Sequence, residues 1–301
     1  MRSYIKKNLP LLLLLAGATA LGVSACDRVE PAAVSNLSGG RIYIMGHAGA
    51  GFESALNPYP PNTLPSIRKT LEGFNAHGTE IDMQLTQDSV IVLYHDGTLE
   101  SMTECAGYVY SLPAAMVTGC RYRTDFTSHI LQEEYVLRLD DVLARYRDSP
   151  LAPRFDFDLK LPEGPGVDMV RVRAQFARRL AVAVAPYPDL LPRVNFMSTD
   201  AEQLRVIRQT LPGARVVLDD AEFDRGLATV IANDFTGIVL ASENVTAEQV
   251  RQAHTAGREV TLYKVRLRPD VIDAVAKDPD AIQSDNILLL QQVLAARYGK
   301  D

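Results

Sequence analysis

What this chain lacks narrows its chemistry before any motif is read. It has no excess of basic residues: 31 Lys and Arg stand against 37 Asp and Glu, a formal net charge of -6. No broad positive field is offered to a nucleic-acid backbone, and the arginine-rich stretch Arg171, Arg173, Arg178 and Arg179 reads as a solvated helix face. There is no Gly-x-Ser-x-Gly elbow, no His-Glu-x-x-His and no Walker loop, since no Lys-Ser/Thr follows the glycine-rich Gly46 to Gly51. Cysteine is scarce, and no further Cys or His stands at ligand spacing beside Cys105 and Cys120, which argues against a zinc site. Tryptophan, low-complexity tracts and internal repeats are absent as well.

What is present is the material of one large domain. Apolar residues make up 47% of 301 positions and charged residues 23%, enough to bury a full core and far from a disordered composition. The length suits a single α/β barrel. At the start, Arg2, Lys6 and Lys7 precede an apolar run from Leu9 to Ala25, the order of an export signal. The run ends in Val23-Ser24-Ala25-Cys26, which resembles a bacterial lipobox. The expectation is a signal peptide over residues 1–25, lipidation of Cys26, a polar tether over 26–40, and a barrel domain over 41–301. The chain is then an exported lipoprotein on a periplasm-facing membrane surface. Asp27 after the cysteine favours the inner membrane slightly. An oxidising compartment would let Cys105 and Cys120 pair, a loop closure contributing about 3 kcal/mol; two buried thiols are the alternative.

Beyond Arg41, β-branched runs alternate with helical patterns, the rhythm of parallel βα units. Eight candidate strands follow: Arg41 to Gly46, Thr79 to Leu85, Arg154 to Leu161, Arg193 to Ser198, Arg215 to Asp219, Gly237 to Ala241, Glu259 to Val265 and Ala281 to Ser284. Eight closes a (β/α)8 TIM barrel. Apolar spacing marks helices at Leu64, Ile67, Leu71 and Phe74, at Leu204, Ile207 and Leu211, and at Ile287, Leu290 and Leu294. Thr199 to Glu202 and Thr246 to Gln249 fit capping boxes, and Gly78 and Gly257 stand where helices should stop. One segment breaks the rhythm. After an extra strand, Val90 to Tyr94, residues 97–137 show no period and read as an insertion at the barrel mouth.

Strand parity points to the chemistry. Alternate side chains face opposite sides, so Asp156, Asp158 and Lys160 share one face, as do Glu80 and Asp82, and that face looks into the barrel. Several buried carboxylates need a counter-charge that one lysine cannot supply, and oxygen ligands favour Ca2+ or Mg2+. His47 and His95 close two strands at the rim where barrel enzymes place their sites. His77, His129 and His254 read as solvent-exposed.

In order, Gly46-His47-Ala48-Gly49, Asn62-Thr63, Glu80-Ile81-Asp82, His95-Asp96, Asp158-Leu159-Lys160 and Gln283-Ser284-Asp285 resemble the glycerophosphodiester phosphodiesterase family across residues 41–290. The resemblance implies a divalent metal on Glu80, Asp82 and Asp158, acid and base roles for His47 and His95, phosphate on Lys160, and substrate contacts from Asn62 and Tyr263. A small phosphodiester is the implied substrate, and oligomeric state is left open. Ala48 replaces the family's usual arginine, Pro61 its glutamate and Tyr263 its tryptophan, and backbone amides of Gly46 to Gly51 would bind phosphate in the arginine's stead. Asp158 in place of glutamate resembles sphingomyelinase D-type enzymes, which makes head-group release from a choline or lysophospholipid the alternative; a non-catalytic binding lipoprotein is another.

Overall fold

Parity and period translate directly into a closed ring in the computed structural model, which describes residues 36–52, 57–123 and 133–298. Cys26, most of the expected tether, His129 and part of the expected insertion lie outside the described residues. The barrel strands are β1 (Tyr43–Gly46), β2 (Gly78–Leu85), β5 (Arg154–Leu159), β6 (Val194–Ser198), β7 (Arg215–Asp219), β8 (Gly237–Ala241), β9 (Glu259–Val265) and β10 (Ala281–Ser284). They run parallel in the order β1-β10-β9-β8-β7-β6-β5-β2, and β1 pairs with β2 to close the ring. Two short strands, β3 (Ile91–Leu93) and β4 (Leu137–Arg138), extend β2 in antiparallel fashion.

The outward faces of the strands make the main core. Ile81, Met83, Phe155, Phe157, Phe196, Val216, Leu218, Ile238 and Leu262 pack beneath the helices. Eight helices follow the barrel strands: α1 (Leu64–Arg68), α3 (Leu139–Tyr146), α4 (Met169–Val184), α5 (Ala201–Thr210), α6 (Phe223–Ala232), α7 (Ala247–Thr255), α8 (Arg268–Ala276) and α9 (Ile287–Tyr298). A one-turn α2 (Ala114–Val117) lies in the insertion. The inward faces carry a small apolar cluster, Met197, Val217 and Val239, beside a polar layer. In that layer Asp156 accepts hydrogen bonds from Asn195 at 2.9 Å and Gln283 at 2.8 Å.

Local chemistry corrects several expectations. The N-cap of α5 is Asp200, not Thr199, and its carboxylate accepts from the Glu202 amide at 3.0 Å. The Thr246 capping box forms with both of its bonds, and Gly257 leaves α7 at φ +69°. Gly78 opens β2 instead of closing a helix; the first helix passes into a π turn over Lys69–Gly73 and ends there. His254 is not exposed. It follows Val250 and Ala253 on the buried face of α7, and its Nε2 lies 3.0 Å from Asp280 Oδ2. His77 is half-buried, with Nδ1 accepting from the Ile44 amide.

Between β3 and β4 the insertion builds its own core from Val92, Tyr94, Leu99, Val109, Val117, Cys120, Tyr122 and Val136. Cys105 and Cys120 are bonded, with Cα atoms 5.6 Å apart. The Tyr94 hydroxyl reaches Leu99 O, Ser101 Oγ and the Met102 amide, which pins this cap beside the residue that follows, His95. Among the described residues, no helix is long and apolar enough to cross a membrane.

Candidate active site

The carboxylates meet because register matches parity. Asp82 of β2 stands opposite Asp158 of β5, and Glu80 lies two residues below Asp82 on the same face. Ligand oxygens of Glu80, Asp82 and Asp158 lie within 4.8 Å of one another. Lys160 Nζ donates to Asp82 Oδ1 at 2.9 Å and to Asp158 Oδ2 at 2.6 Å. Glu80 Oε2 accepts from the Ala48 amide at 2.6 Å, while its Oε1 is buried with no hydrogen-bond partner.

Burial first, and then the charges of Asp82 and Asp158, push the Glu80 carboxyl well above its usual range. Burial also raises Asp158, against the pull of Lys160. For Asp82 burial is outweighed by Lys160, His95 and the Asn62 amide, so it falls below its ordinary value. Lys160 is raised: burial opposes this, and the three carboxylates prevail. An orphaned buried oxygen in an all-oxygen cluster with surplus negative charge fits a divalent cation.

Above the cluster stand two histidines, each held by a carboxylate. His47 Nδ1 donates to Asp285 Oδ1 at 2.8 Å, and His95 Nδ1 to Asp96 Oδ1 at 2.7 Å. Holding Nδ1 leaves Nε2 of each ring free to exchange a proton. Phe52 sits edge-on to both rings, at centroid distances of 5.2 Å and 6.0 Å. Burial would raise Asp285, but the His47 contact outweighs it and keeps this carboxylate ionised to lower pH than usual.

His47, Glu80, His95, Asp158, Lys160 and Tyr263 line one cavity of about 380 Å³, with Asp82 buried just behind. Asn62 does not line it. Its amide donates to Asp82 Oδ2 at 2.7 Å and accepts from the Asp82 amide at 2.9 Å, so this fully buried side chain supports a carboxylate instead of touching substrate. The loop amides are unavailable too. Those of His47, Ala48, Gly49, Ala50 and Gly51 donate to Ser284 O, Glu80 Oε2, Glu80 O, Ser66 Oγ and His47 O. They stabilise the turn and are already engaged, so they are not free for phosphate.

Sequence reasoning passed over Phe52, Asp219 and Lys264, which share the cavity. Asp219 was legible from the parity of β7, where Val217 and Asp219 turn inward together. Burial, reinforced by Asp158, lifts its carboxyl to about 6. A larger groove of about 730 Å³ between α1 and Glu133–Leu137 holds neither the histidines nor the carboxylate cluster.

Comparison with known proteins decides the family. Residues 54–289 match the profile of the Glycerophosphoryl diester phosphodiesterase family. The chain belongs to that family. A phosphodiesterase from Oleispira antarctica, solved with the product sn-glycerol-3-phosphate, superposes with a TM-score of 0.72 at 18% identity, covering 84% of this chain and 96% of that one. A glycerophosphodiester phosphodiesterase from Parabacteroides distasonis gives 0.69 at 18% identity, over 85% and 98%. Rat glycerophosphodiester phosphodiesterase 1 is 30% identical over 95 residues, which spans 32% of this chain and 26% of the relative. Ala48, where the sequence resemblance led to an expected arginine, sits at φ +47° and its backbone amide donates to Glu80 Oε2.

Proposed function

We propose that this chain hydrolyses glycerophosphodiesters to glycerol 3-phosphate and an alcohol, with Ca2+ or Mg2+ held by Glu80, Asp82 and Asp158. The observation that carries the reading is the unpartnered Glu80 Oε1, a buried carboxylate oxygen inside a three-carboxylate cluster beneath two carboxylate-held histidines. The product bound to the Oleispira antarctica phosphodiesterase supports the same substrate class.

When bound, the cation neutralises charge that builds on the phosphoryl oxygens. Lys160, already turned toward the cluster, adds a second positive group for a phosphate oxygen. One histidine removes a proton from the attacking oxygen at Nε2, and the other gives a proton to the departing alcohol. Asp285 and Asp96 hold the two rings at Nδ1 throughout and fix their orientation. Phe52 between the rings keeps them apart and excludes water from that edge.

The test is release of glycerol 3-phosphate from glycerophosphocholine by the full chain in detergent. Turnover should vanish with chelator and return with Ca2+ or Mg2+. Absence of turnover on glycerophosphodiesters with metal supplied would overturn the proposal. The same reading places the chain on a periplasm-facing membrane surface through lipidated Cys26, supported by the charge-then-apolar order of residues 2–25.

A further inference from the structure

The wall of the cavity away from the histidines has a chemistry of its own. Three strands separate β7 from β1 in either direction around the ring, so Asp219 stands across the mouth from His47. Its carboxylate faces the cavity and has no hydrogen-bond or ion-pair partner among the described residues. Beneath it lies the apolar floor of Met197, Val217 and Val239, against which Tyr263 packs. Burial first, and then the Asp219 charge, raise the Tyr263 phenol, so near neutral pH it keeps its proton as a donor.

An acceptor-only carboxylate beside a phenol that both donates and accepts, above an apolar floor, is matched to neighbouring hydroxyls on a short carbon chain. A cationic head group fits less well. Lys160 and Lys264 both line the same cavity, and Lys264 Nζ lies over the Tyr263 ring, 5.9 Å from its centroid. That aromatic face is therefore already occupied by a cation. With the phosphorus held near Lys160 and the carboxylate cluster, and the proton-transfer groups on the β1 and β2 side, the part of the product that stays on phosphorus extends toward β7.

We infer that Asp219, with the Tyr263 phenol beside it, reads the hydroxyl groups of the polyol that remains on phosphate and so sets selectivity for polyol phosphates over alkyl phosphates. This rests on the proposed hydrolysis for its biological meaning, but the recognition is measurable without turnover. A site that hydrogen-bonds substrate hydroxyls discriminates strongly against analogues lacking them, because its polar groups are then left unpaired.

The experiment is calorimetric binding of glycerol 3-phosphate, propyl phosphate and phosphocholine to the full chain with Mg2+, before and after Asp219→Asn. The parent should prefer glycerol 3-phosphate to propyl phosphate by about tenfold to a hundredfold, the range of one charge-assisted hydrogen bond. In Asp219→Asn that preference should shrink by at least about tenfold, while thermal unfolding confirms that the near-isosteric variant is folded. Equal affinity of the parent for the two phosphates overturns the inference without any variant. It also fails if the preference survives in Asp219→Asn, or if phosphocholine alone is weakened, which would assign Asp219 to a cationic head group. Loss of glycerophosphodiester turnover in the parent would sink the hydrolysis proposal separately, since binding is read independently.

Discussion

Glu80 has one oxygen on the Ala48 amide and the other buried without a partner. Such a group stays in a folded protein when function requires it. Glu80→Gln keeps an acceptor for Ala48 and removes the buried charge. In chelator this variant should be more stable than the parent by about 1–3 kcal/mol, the desolvation scale of a buried polar group. Added Ca2+ or Mg2+ should raise the parent's melting temperature and leave the variant's nearly unchanged; a variant that melts lower in chelator would refute the unsatisfied-carboxylate argument. Asp285 is a positioning residue, because its carboxylate meets His47 and not the reacting atoms. Asp285→Asn should lower kcat by about tenfold to a hundredfold, less than the roughly 10²–10⁴-fold loss expected for His47→Ala, with KM little changed. Steady-state kinetics on glycerophosphocholine separates these outcomes. Period-2 alternation put Glu80, Asp82, Asp156 and Asp158 on inward faces without tertiary knowledge, and the family resemblance singled out Glu80, Asp82 and Asp158 among them. His254 was not, since its burial depends on Asp280 arriving from a different βα unit.

At the scale of elements, the barrel strands were visible as short apolar or alternating runs, while most turns between strand and helix were not. The stretch from His47 to Gly51 shows why. Glycine content suggested an open anion-binding loop, yet its amides close upon Glu80, Ser66 and Ser284. Where a backbone donor goes depends on which acceptors the fold brings near, and Ser66 and Glu80 come from other elements. Crowding in this turn is severe. A Cβ built on Gly46 would lie 1.9 Å from Gly49 O and 2.7 Å from Thr70 Cγ2. Gly46→Ala must therefore shift the end of β1 and displace His47, which follows directly. The expected outcome is a loss of about 1–3 kcal/mol from overpacking, read as a lower urea midpoint, together with a fall in kcat. Unchanged activity would mean that the turn tolerates movement and does not position His47. The π turn after Arg68 was equally hidden, because Ile67, Leu71 and Phe74 satisfy an ordinary helical period.

At the scale of the whole molecule, the described chain enters the barrel at the end opposite its carboxylates and histidines. Asn36 donates to Pro279 O at 3.0 Å, and the Ser38 amide donates to Asp280 Oδ1 at 3.0 Å. Pro279 and Asp280 lead into β10, so the chain joins the barrel at the N-terminal ends of the strands, whereas His47, Asp219 and Asp285 mark the C-terminal ends. Asp280 fixes this junction from inside, accepting from the Val260 amide at 2.8 Å and meeting buried His254. If Cys26 carries a lipid, 36 − 26 = 10 residues connect it to that end, a reach of at most about 35 Å even when fully extended. On the proposal that Cys26 is lipidated, a cavity at the opposite end of the barrel from Asn36 is expected to act on dissolved substrates. Reconstituted in vesicles, the lipidated chain should hydrolyse glycerophosphocholine in solution at least about tenfold more efficiently than lysophosphatidylcholine held in the same bilayer, an accessibility difference of roughly 1.4 kcal/mol. Replacing Cys26 by Ser, in Cys26→Ser, should release the chain from the vesicles and narrow that gap when the lysolipid is presented in detergent. Faster attack on the bilayer-held lysolipid would show instead that the mouth reaches the membrane, and would favour the head-group-releasing alternative.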